Sequence, residues 1–357
     1  MEANDVVRVY CLVRGSEDPL DRVHQSLRTR GLSPNLSKVI ALSADLSQPN
    51  LNLPPTTFSS IQASLTHIIH AAWPVNFQIS LSAFEPQLLG LQHLLNLSLS
   101  TKAPRPAKLL FCSSVSVAMA TQSPQTIPSA PIKSFSQALP SGYARSKLVA
   151  ERIVEAAASK AGADARILRI GQVIGDTKNA IWNDTEAYPL VIRSALTLGV
   201  LPKLDENWSW LPVDTLAAAV LDVADVDADV DAASPESVVW NLQNPKTFHW
   251  TRDLLPMLSS SGMKFEAVEP NVWLQRLRKY SEETPPDEAL KVNPAVKLLE
   301  YFEESFGGGR KGDQVTFDTE RACRDSGNLR DAMDVIGEGL MGRIVGVWLE
   351  KWEGEGA

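Results

Sequence analysis

The alternation of short apolar runs with longer helical segments constrains the fold of this chain more than any other feature. Short runs rich in Val, Ile and Leu, which are typical of buried strands, lie at residues 6–13, 38–42, 66–72, 108–113 and 165–170. Between them, apolar residues recur at helical spacing, most clearly over 80–99 and 141–157. Strands that alternate with helices form βαβ units, so the pattern predicts an α/β fold with a Rossmann-like parallel sheet.

The pattern changes after about residue 175, where aromatic and proline-rich segments mix with helices. We therefore expect a Rossmann-like core over residues 1–175, followed by a smaller, α-rich substrate lobe over 176–357 that returns some segments to the core. Residues 121–140 form a stretch rich in Pro and Ser that is long enough to act as a lid over the substrate.

Composition and charge exclude several kinds of partner. Acidic residues outnumber basic ones by 42 to 34, and the formal net charge of -8 offers no attraction to nucleic acid or to anionic membranes. The cysteines Cys11, Cys112 and Cys323 are far apart, which favours a reducing compartment. No apolar run approaches the roughly 18 residues of a membrane span, and the first residues lack the features of a signal peptide. We therefore expect a cytoplasmic protein. Separately, no histidine or cysteine spacing indicates a metal site.

Tyr143 and Lys147 form a Y-x-x-x-K pattern at the predicted start of a helix, which places both side chains on one helical face. We expect the lysine ammonium to lower the pKa of the tyrosine, so that the phenol becomes a usable acid or base near neutral pH. Upstream, a predicted strand ends in Ser113 and Ser114, at the edge of a parallel sheet where ligands bind. A serine after a strand, then a loop, then Y-x-x-x-K at the start of a helix is an order that predicts joint action of Ser114, Tyr143 and Lys147 on a carbonyl group. The alternative is that they are unrelated surface residues.

Several further runs match one enzyme family, at residues 10–15, 44–53, 67–77, 81–90, 142–147, 168–183, 186–195, 208–214 and 293–302. On these runs the chain resembles the extended short-chain dehydrogenase/reductases. It is most similar to the thioester reductase domains of fungal adenylate-forming reductases and related enzymes that resemble non-ribosomal peptide synthetases. The resemblance covers essentially the whole chain.

The resemblance implies an NADPH-dependent reductive release in secondary metabolism, in which a carrier-bound acyl or peptidyl thioester leaves as an aldehyde. Ser114 and Tyr143 would stabilise the developing oxyanion, and Tyr143 would donate the proton. Lys147 would hold the ribose hydroxyls of the cofactor and tune Tyr143. The resemblance also implies adenylation and carrier domains, either upstream or as proteins acting in trans.

The same resemblance implies which residues contact the cofactor. Arg14 stands where a cation can pair with the 2′-phosphate of NADPH, although a solvated surface charge is the alternative. Asp45 and Leu46 match the pair that touches the adenine. His70 and Ala71 match the strand end beside the cofactor, although His70 also fits a buried structural histidine.

The resemblance further implies a substrate site between the predicted lid and the second lobe. Its candidate lining residues are Gln172, Trp182 and Tyr188, for which packing in the core of the lobe is the alternative.

The chain departs from the family at its start, because the family's strand, glycine-rich turn and helix that cradle the pyrophosphate should precede residues 10–15. In the family's strand order 3-2-1-4-5, the absence of the first strand removes a central position of the sheet, which lies about 4.8 Å from the neighbouring strand on each side. Three explanations stand: a fragment or a wrongly assigned start, a chain that lost cofactor binding but kept the fold, or a working reductase with substituted contacts. We predict no measurable NADPH binding by these residues alone, with strand 6–13 either paired directly to strand 66–72 or loosely packed.

Two classes of function therefore remain open. The first is an NADPH-dependent thioester or carboxyl reductase. The second is a protein that has lost dinucleotide binding. It would be either a non-redox enzyme that uses Ser114, Tyr143 and Lys147 for cyclisation, condensation or isomerisation, or a binding protein without catalysis.

Overall fold

The structure is a computed structural model that describes residues 6–33, 35–122, 125–226, 238–306 and 315–355. The chain divides into two units. The first unit contains Met1–Gly171, Ala218–Leu242 and Val315–Asn328. The second unit contains Gln172–Ala217, Gln243–Gln314 and Leu329–Ala357. The first crossing between the units follows Gly171, close to residue 175, and the chain returns to the first unit at Ala218 and Val315.

The strands and helices are named here in chain order. The strands are β1 (Val9–Val13), β2 (Val39–Ser43), β3 (His67–His70), β4 (Lys108–Ser114), β5 (Gln125–Ile127), β6 (Ala165–Ile170), β7 (Gln172–Ile174), β8 (Val200–Pro202), β9 (Asn207–Trp208), β10 (Trp210–Pro212), β11 (Val239–Leu242), β12 (Phe248–His249), β13 (Glu266–Val268) and β14 (Val315–Phe317). The helices are α1 (Pro19–Arg28), α2 (Pro55–Ser64), α3 (Glu85–Leu99), α4 (Gly142–Ala161), α5 (Ala187–Arg193), α6 (Ala195–Leu198), α7 (Val213–Asp225), α8 (Leu255–Ser260), α9 (Pro270–Glu283), α10 (Pro286–Val292), α11 (Leu299–Phe306), α12 (Glu320–Asp325), α13 (Gly327–Arg330) and α14 (Leu340–Glu355).

The main sheet of the first unit has the strand order β11-β6-β4-β3, and all of its pairs are parallel. Of its middle strands, β6 is buried along nearly its whole length, and β4 is buried mainly over its apolar centre. Such strands suit a parallel sheet whose two faces are both covered. The predicted α/β fold with a parallel sheet is confirmed.

The sheet is interrupted beside β3. Strand β1 pairs only with β2, in parallel, as a separate two-stranded sheet. Among the described residues, no strand pairs with the second edge of β1 or with the edge of β3 that faces away from β4. Every residue of β1 is partly exposed, and Ile69 of β3 is 49% exposed. We call these two unpaired strand edges the open edges.

Hydrophobic packing holds β1 in place although it is not paired to β3. Tyr10 and Leu12 of β1 pack against the same core cluster as Ile68 of β3, together with Leu91 and Leu95 of α3. Of the two arrangements predicted for this strand, direct pairing does not occur.

The segment predicted to be a lid is anchored in the described part of the first unit, which omits residues 123–124. Strand β5 lies inside this segment and pairs in parallel with β14. Ile127, Ile132 and Ala138 are buried in one core cluster. These side chains and a strand hold the segment down, and its role as a lid over the substrate stays a prediction.

The second unit is built around large aromatic side chains. Trp210, Trp250, Trp273 and Trp348 are almost completely buried in its core. None of the described helices, in either unit, is both long and apolar enough to cross a lipid bilayer.

Candidate active site

The site lies in the first unit, where β4 ends and α4 begins. Ser114 is the last residue of β4, and Tyr143 follows Gly142 in the first turn of α4. The Ser141 hydroxyl caps this helix by accepting a hydrogen bond from the Ala144 amide at 3.2 Å. A Cβ at Gly142 would overlap the backbone carbonyl of Ile79, so only glycine allows the helix to start this close to that segment.

Tyr143 is held in an aromatic environment and is only 7% exposed. Its ring packs edge to face on Phe77, with 5.1 Å between ring centroids, and on Phe84 at 6.4 Å. Burial raises the pKa of the phenol, and a side-chain hydrogen bond with Ser114 acts in the opposite direction. The expectation that Lys147 lowers the pKa of Tyr143 is therefore wrong. At neutral pH the phenol keeps its proton and is suited to act as an acid.

Lys147 lies one turn further along α4 and is 3% exposed. Its Nζ donates to the Cys112 carbonyl of β4 at 2.6 Å. The same atom lies 4.6 Å from the ring centroid of Trp73 and 4.8 Å from that of Phe111. Burial lowers the pKa of this ammonium to about 7, although Cys112 and Glu151 favour its charged form. The group therefore changes its charge near neutral pH.

A buried ion pair fixes α4 against the strands. Arg169 of β6 and Glu151 of α4 are both buried, with 2.7 Å between Nη2 and Oε2. Ser113 donates to the same carboxylate at 2.6 Å, and Arg169 also donates to the Ala130 carbonyl at 2.9 Å. Sequence reasoning missed this set, although Glu151 lies one helical turn from Lys147 and could have been found by its spacing.

His70 ends β3 beside this site and is buried between Trp73 and Phe111, each at 5.9 Å between ring centroids. Burial and the nearby Lys147 ammonium lower the pKa of the imidazole to about 4, so it is neutral. Its Nε2 atom is buried and has no hydrogen-bond partner among the described residues. His70 is thus buried, as expected for a structural histidine. Its Nε2 atom, however, lacks the hydrogen bond that buried polar atoms usually make. The next residue, Ala71, is exposed.

The residues expected to contact adenine and the 2′-phosphate lie at the ends of the other sheet. Arg14 is exposed directly after β1, and Gly15 follows it with a φ of 104°. Asp45 is exposed just after β2, and its carboxylate accepts hydrogen bonds from the Ser47 amide and hydroxyl. Leu46 packs so closely on α3 that a Cβ at Gly90 would lie 2.9 Å from the Leu46 Cβ. Because β1 and β2 are paired side by side, Arg14 and Asp45 are brought to one edge.

These residues form two groups that fit the two ends of a dinucleotide. Ser114, Tyr143, Lys147 and His70 suit the reacting end, and the group after β1 and β2 suits the adenosine end. The described residues place no glycine-rich turn at either open edge to receive the pyrophosphate. The helix that follows β1 does not replace it, because the Asp18 carboxylate already accepts from its first amides, those of Leu20 and Asp21.

The three predicted substrate residues lie in the second unit. Gln172 and Trp182 both donate a hydrogen bond to the carboxylate of Glu186, a residue that sequence reasoning did not single out. Tyr188 packs on Trp208, with 4.8 Å between ring centroids. Trp182 is only 5% exposed and belongs to the core, as the packing alternative expected, whereas Gln172 and Tyr188 are partly exposed. Among the described residues, no group of three or more His, Cys, Asp or Glu side chains is placed to hold a metal.

Comparison with known proteins identifies related sequences over the whole chain. A family model described as Male sterility protein matches residues 1–220. Over 98% of its length, the chain is 32% identical to an adenylate-forming reductase of Heterobasidion annosum. Over 97% of its length, it is 30% identical to a carboxylic acid reductase of Neurospora crassa. The chain spans 32% of the length of each of these relatives.

Solved structures share the fold. The terminal R domain from the myxalamid PKS-NRPS biosynthetic pathway superposes with a TM-score of 0.80 at 22% identity, covering 96% of this chain and 84% of that one. The PhqB reductase domain from Penicillium fellutanum gives a TM-score of 0.68 at 18% identity, covering 96% of this chain and 85% of that one. The fold of the extended short-chain dehydrogenase/reductases, which the sequence predicted, is therefore confirmed.

Proposed function

Because this chain belongs to the nucleotide-cofactor-binding family described as Male sterility protein, we propose that it is the reductase portion of a thioester- or carboxyl-reducing enzyme of secondary metabolism. In this proposal a carrier-bound acyl or peptidyl thioester is reduced with NADPH and released as an aldehyde. The observation that carries the proposal is the placement of Ser114 at the end of β4, where it acts on the pKa of Tyr143, with Lys147 one turn further along α4. Adenylation and carrier partners and a cytoplasmic location are parts of the same proposal.

The roles of the residues follow from their protonation. Tyr143 holds a proton at neutral pH, and Ser114 donates a second hydrogen bond to the same substrate oxygen. NADPH, when bound, supplies the hydride to the thioester carbon. The oxygen, now carrying the negative charge, takes the proton of Tyr143. The C–S bond of the resulting hemithioacetal then breaks, and the products are an aldehyde and the thiol of the carrier.

The cofactor would be held at both of its ends by residues of the first unit. Lys147 would bind the ribose hydroxyls at the reacting end, where the orphaned Nε2 of His70 also lies and Ala71 leaves room for close approach. At the other end, Asp45 and Leu46 would contact adenine. The exposed guanidinium of Arg14 would pair with the 2′-phosphate of NADPH.

The open edges favour a second candidate function. With no strand or glycine-rich turn between the two groups of residues, the described chain offers no amide cradle for a pyrophosphate. Ser114, Tyr143 and Lys147 would then catalyse a reaction without hydride transfer, such as cyclisation, condensation or isomerisation, or the protein would bind its ligand without catalysis.

The experiment that tests these candidates compares two proteins. One is the 357-residue chain. The other, here called the joined chain, is the same chain preceded by the strand, glycine-rich turn and helix of a family member. Each is given NADPH and an acyl thioester of N-acetylcysteamine, and aldehyde formation is measured. We expect aldehyde from the joined chain only. No aldehyde from either protein, with conversion of the thioester to a non-reduced product, would overturn the reductase in favour of the second candidate.

A further inference from the structure

Glu186 of the second unit lies directly before α5, and its side chain is not used to cap that helix. Instead, its Oε2 atom accepts from the Trp182 indole at 3.1 Å and from the Gln172 amide at 3.4 Å. The second oxygen, Oε1, accepts no hydrogen bond within the described part of the chain, and the residue keeps part of its surface exposed. The carboxylate therefore has acceptor capacity that the protein does not use.

Four aromatic side chains, Trp182, Tyr188, Trp208 and Trp210, continue from this carboxylate, and we call them the aromatic cluster. Their ring centroids are 5.1 Å apart between Trp182 and Trp210, 5.7 Å between Tyr188 and Trp210, and 4.8 Å between Tyr188 and Trp208. The indole N–H groups of Trp208 and Trp210 are buried without a partner among the described residues. Tyr188 and Trp208 are partly exposed, so the cluster has a face that a ligand can reach.

Within the described part of the chain, no basic side chain acts on the pKa of Glu186. Arg193 and Lys351 each pair with the nearby Asp184. Burial raises the pKa of Glu186, and the hydrogen bonds from Trp182 and Gln172 offset this only in part. An ammonium group would supply further compensation, since it carries three donors and is attracted to the faces of aromatic rings.

We propose that Glu186, Gln172 and the aromatic cluster form a recognition site for the ammonium group of a small organic ligand. The unused Oε1 of Glu186 and the amide oxygen of Gln172 accept from the ammonium, and the aromatic faces of Tyr188 and Trp208 contact it. The ligand class is therefore a primary amine in its ammonium form. This binding does not rest on the proposed function.

The test measures binding to the full chain without NADPH, by titrating tryptophan fluorescence with benzylammonium and, separately, with benzyl alcohol, its neutral counterpart. We expect saturable binding of benzylammonium that Glu186→Gln weakens roughly tenfold or more, because a charge-assisted hydrogen bond is lost. Benzyl alcohol should bind more weakly and respond little to the substitution. The matched control is Glu282→Gln, which changes an exposed glutamate of α9 in the same unit and should leave both titrations unchanged.

Two further variants keep the test decisive if Glu186→Gln does not fold. Gln172→Leu leaves the bond between Glu186 and Trp182 in place, and Tyr188→Leu removes one aromatic face. Each is expected to weaken benzylammonium binding severalfold. Equal affinities in wild type and in the folded variants, or equal affinities for benzylammonium and benzyl alcohol, would overturn the proposal.

The outcome separates this proposal from the proposed function. Binding of benzylammonium that depends on Glu186, with no aldehyde from the joined chain, leaves the recognition site standing and removes the reductase. Aldehyde formation by the joined chain, without such binding, leaves the reductase standing and removes the recognition site.

Discussion

At the scale of single residues, the proposed chemistry depends on which groups keep their protons. Tyr143 is buried among Phe77 and Phe84 and keeps its phenolic proton, whereas the equally buried Lys147 loses part of its charge near neutral pH. Burial acts on both groups in the direction that favours the neutral form. The result is an acid that holds its proton beside an amine that changes charge near pH 7.

Substitution of Tyr143 by Phe tests its role as the acid. In the joined chain, the rate of thioester reduction is expected to fall by roughly 10² to 10⁴, because only the group that donates the proton is removed. The thermal unfolding midpoint should change little, since the ring and its aromatic contacts remain. Tyr280→Phe in α9 is the matched control and should keep the full rate. A Tyr143→Phe protein as fast as this control would exclude Tyr143 as the acid.

Lys147 predicts a pH dependence of stability with a definite sign. Its pKa is about 7 in the folded protein and near its ordinary value of 10.5 when unfolded, so the unfolded state binds more protons between these values. The free energy of unfolding should therefore rise with pH over this window, and Lys147→Met should remove that rise. Urea unfolding at several pH values measures it, with Lys264→Met, at an exposed position, as the control. A wild-type slope that survives in Lys147→Met would contradict the assignment.

At the scale of helices and strands, the buried ion pair between α4 and β6 fixes the site. Glu151→Gln should destabilise the protein by about 3–5 kcal/mol, because it leaves the Arg169 charge buried without its partner. The double substitution Glu151→Met with Arg169→Met should recover much of that loss, since no charge is then buried. Urea unfolding of both proteins checks this. If the single variant were as stable as wild type, the pair would not hold α4 to the sheet.

The sequence patterns predicted the elements that local spacing determines. Buried apolar runs predicted β4 and β6, and helical periodicity with the Y-x-x-x-K pattern predicted α4 and the side-by-side position of Tyr143 and Lys147. Local spacing did not predict what distant segments contribute. The supposed lid is held by β14, which lies far along the chain, and the pKa of Tyr143 is raised by burial, to which residues of other segments contribute. Glu186 was missed because its partners come together only in the folded second unit.

At the scale of the whole molecule, the chain belongs to a family of nucleotide-cofactor-binding domains, yet its parallel sheet is interrupted at the open edges of β1 and β3. Residues suited to each end of a dinucleotide stand at the ends of these two sheets. We propose that these residues form one cofactor site when a strand and its glycine-rich turn lie between them.

Titration with NADPH, followed by its fluorescence and by thermal shift, tests whether the two groups of residues form one cofactor site. We predict no measurable binding by the 357-residue chain, because its described residues offer no amide cradle for the pyrophosphate. We predict that the joined chain binds NADPH and is stabilised by about 2.7 kcal/mol at a 100-fold excess over Kd. Micromolar NADPH affinity in the 357-residue chain, or no binding by a folded joined chain, would contradict this proposal.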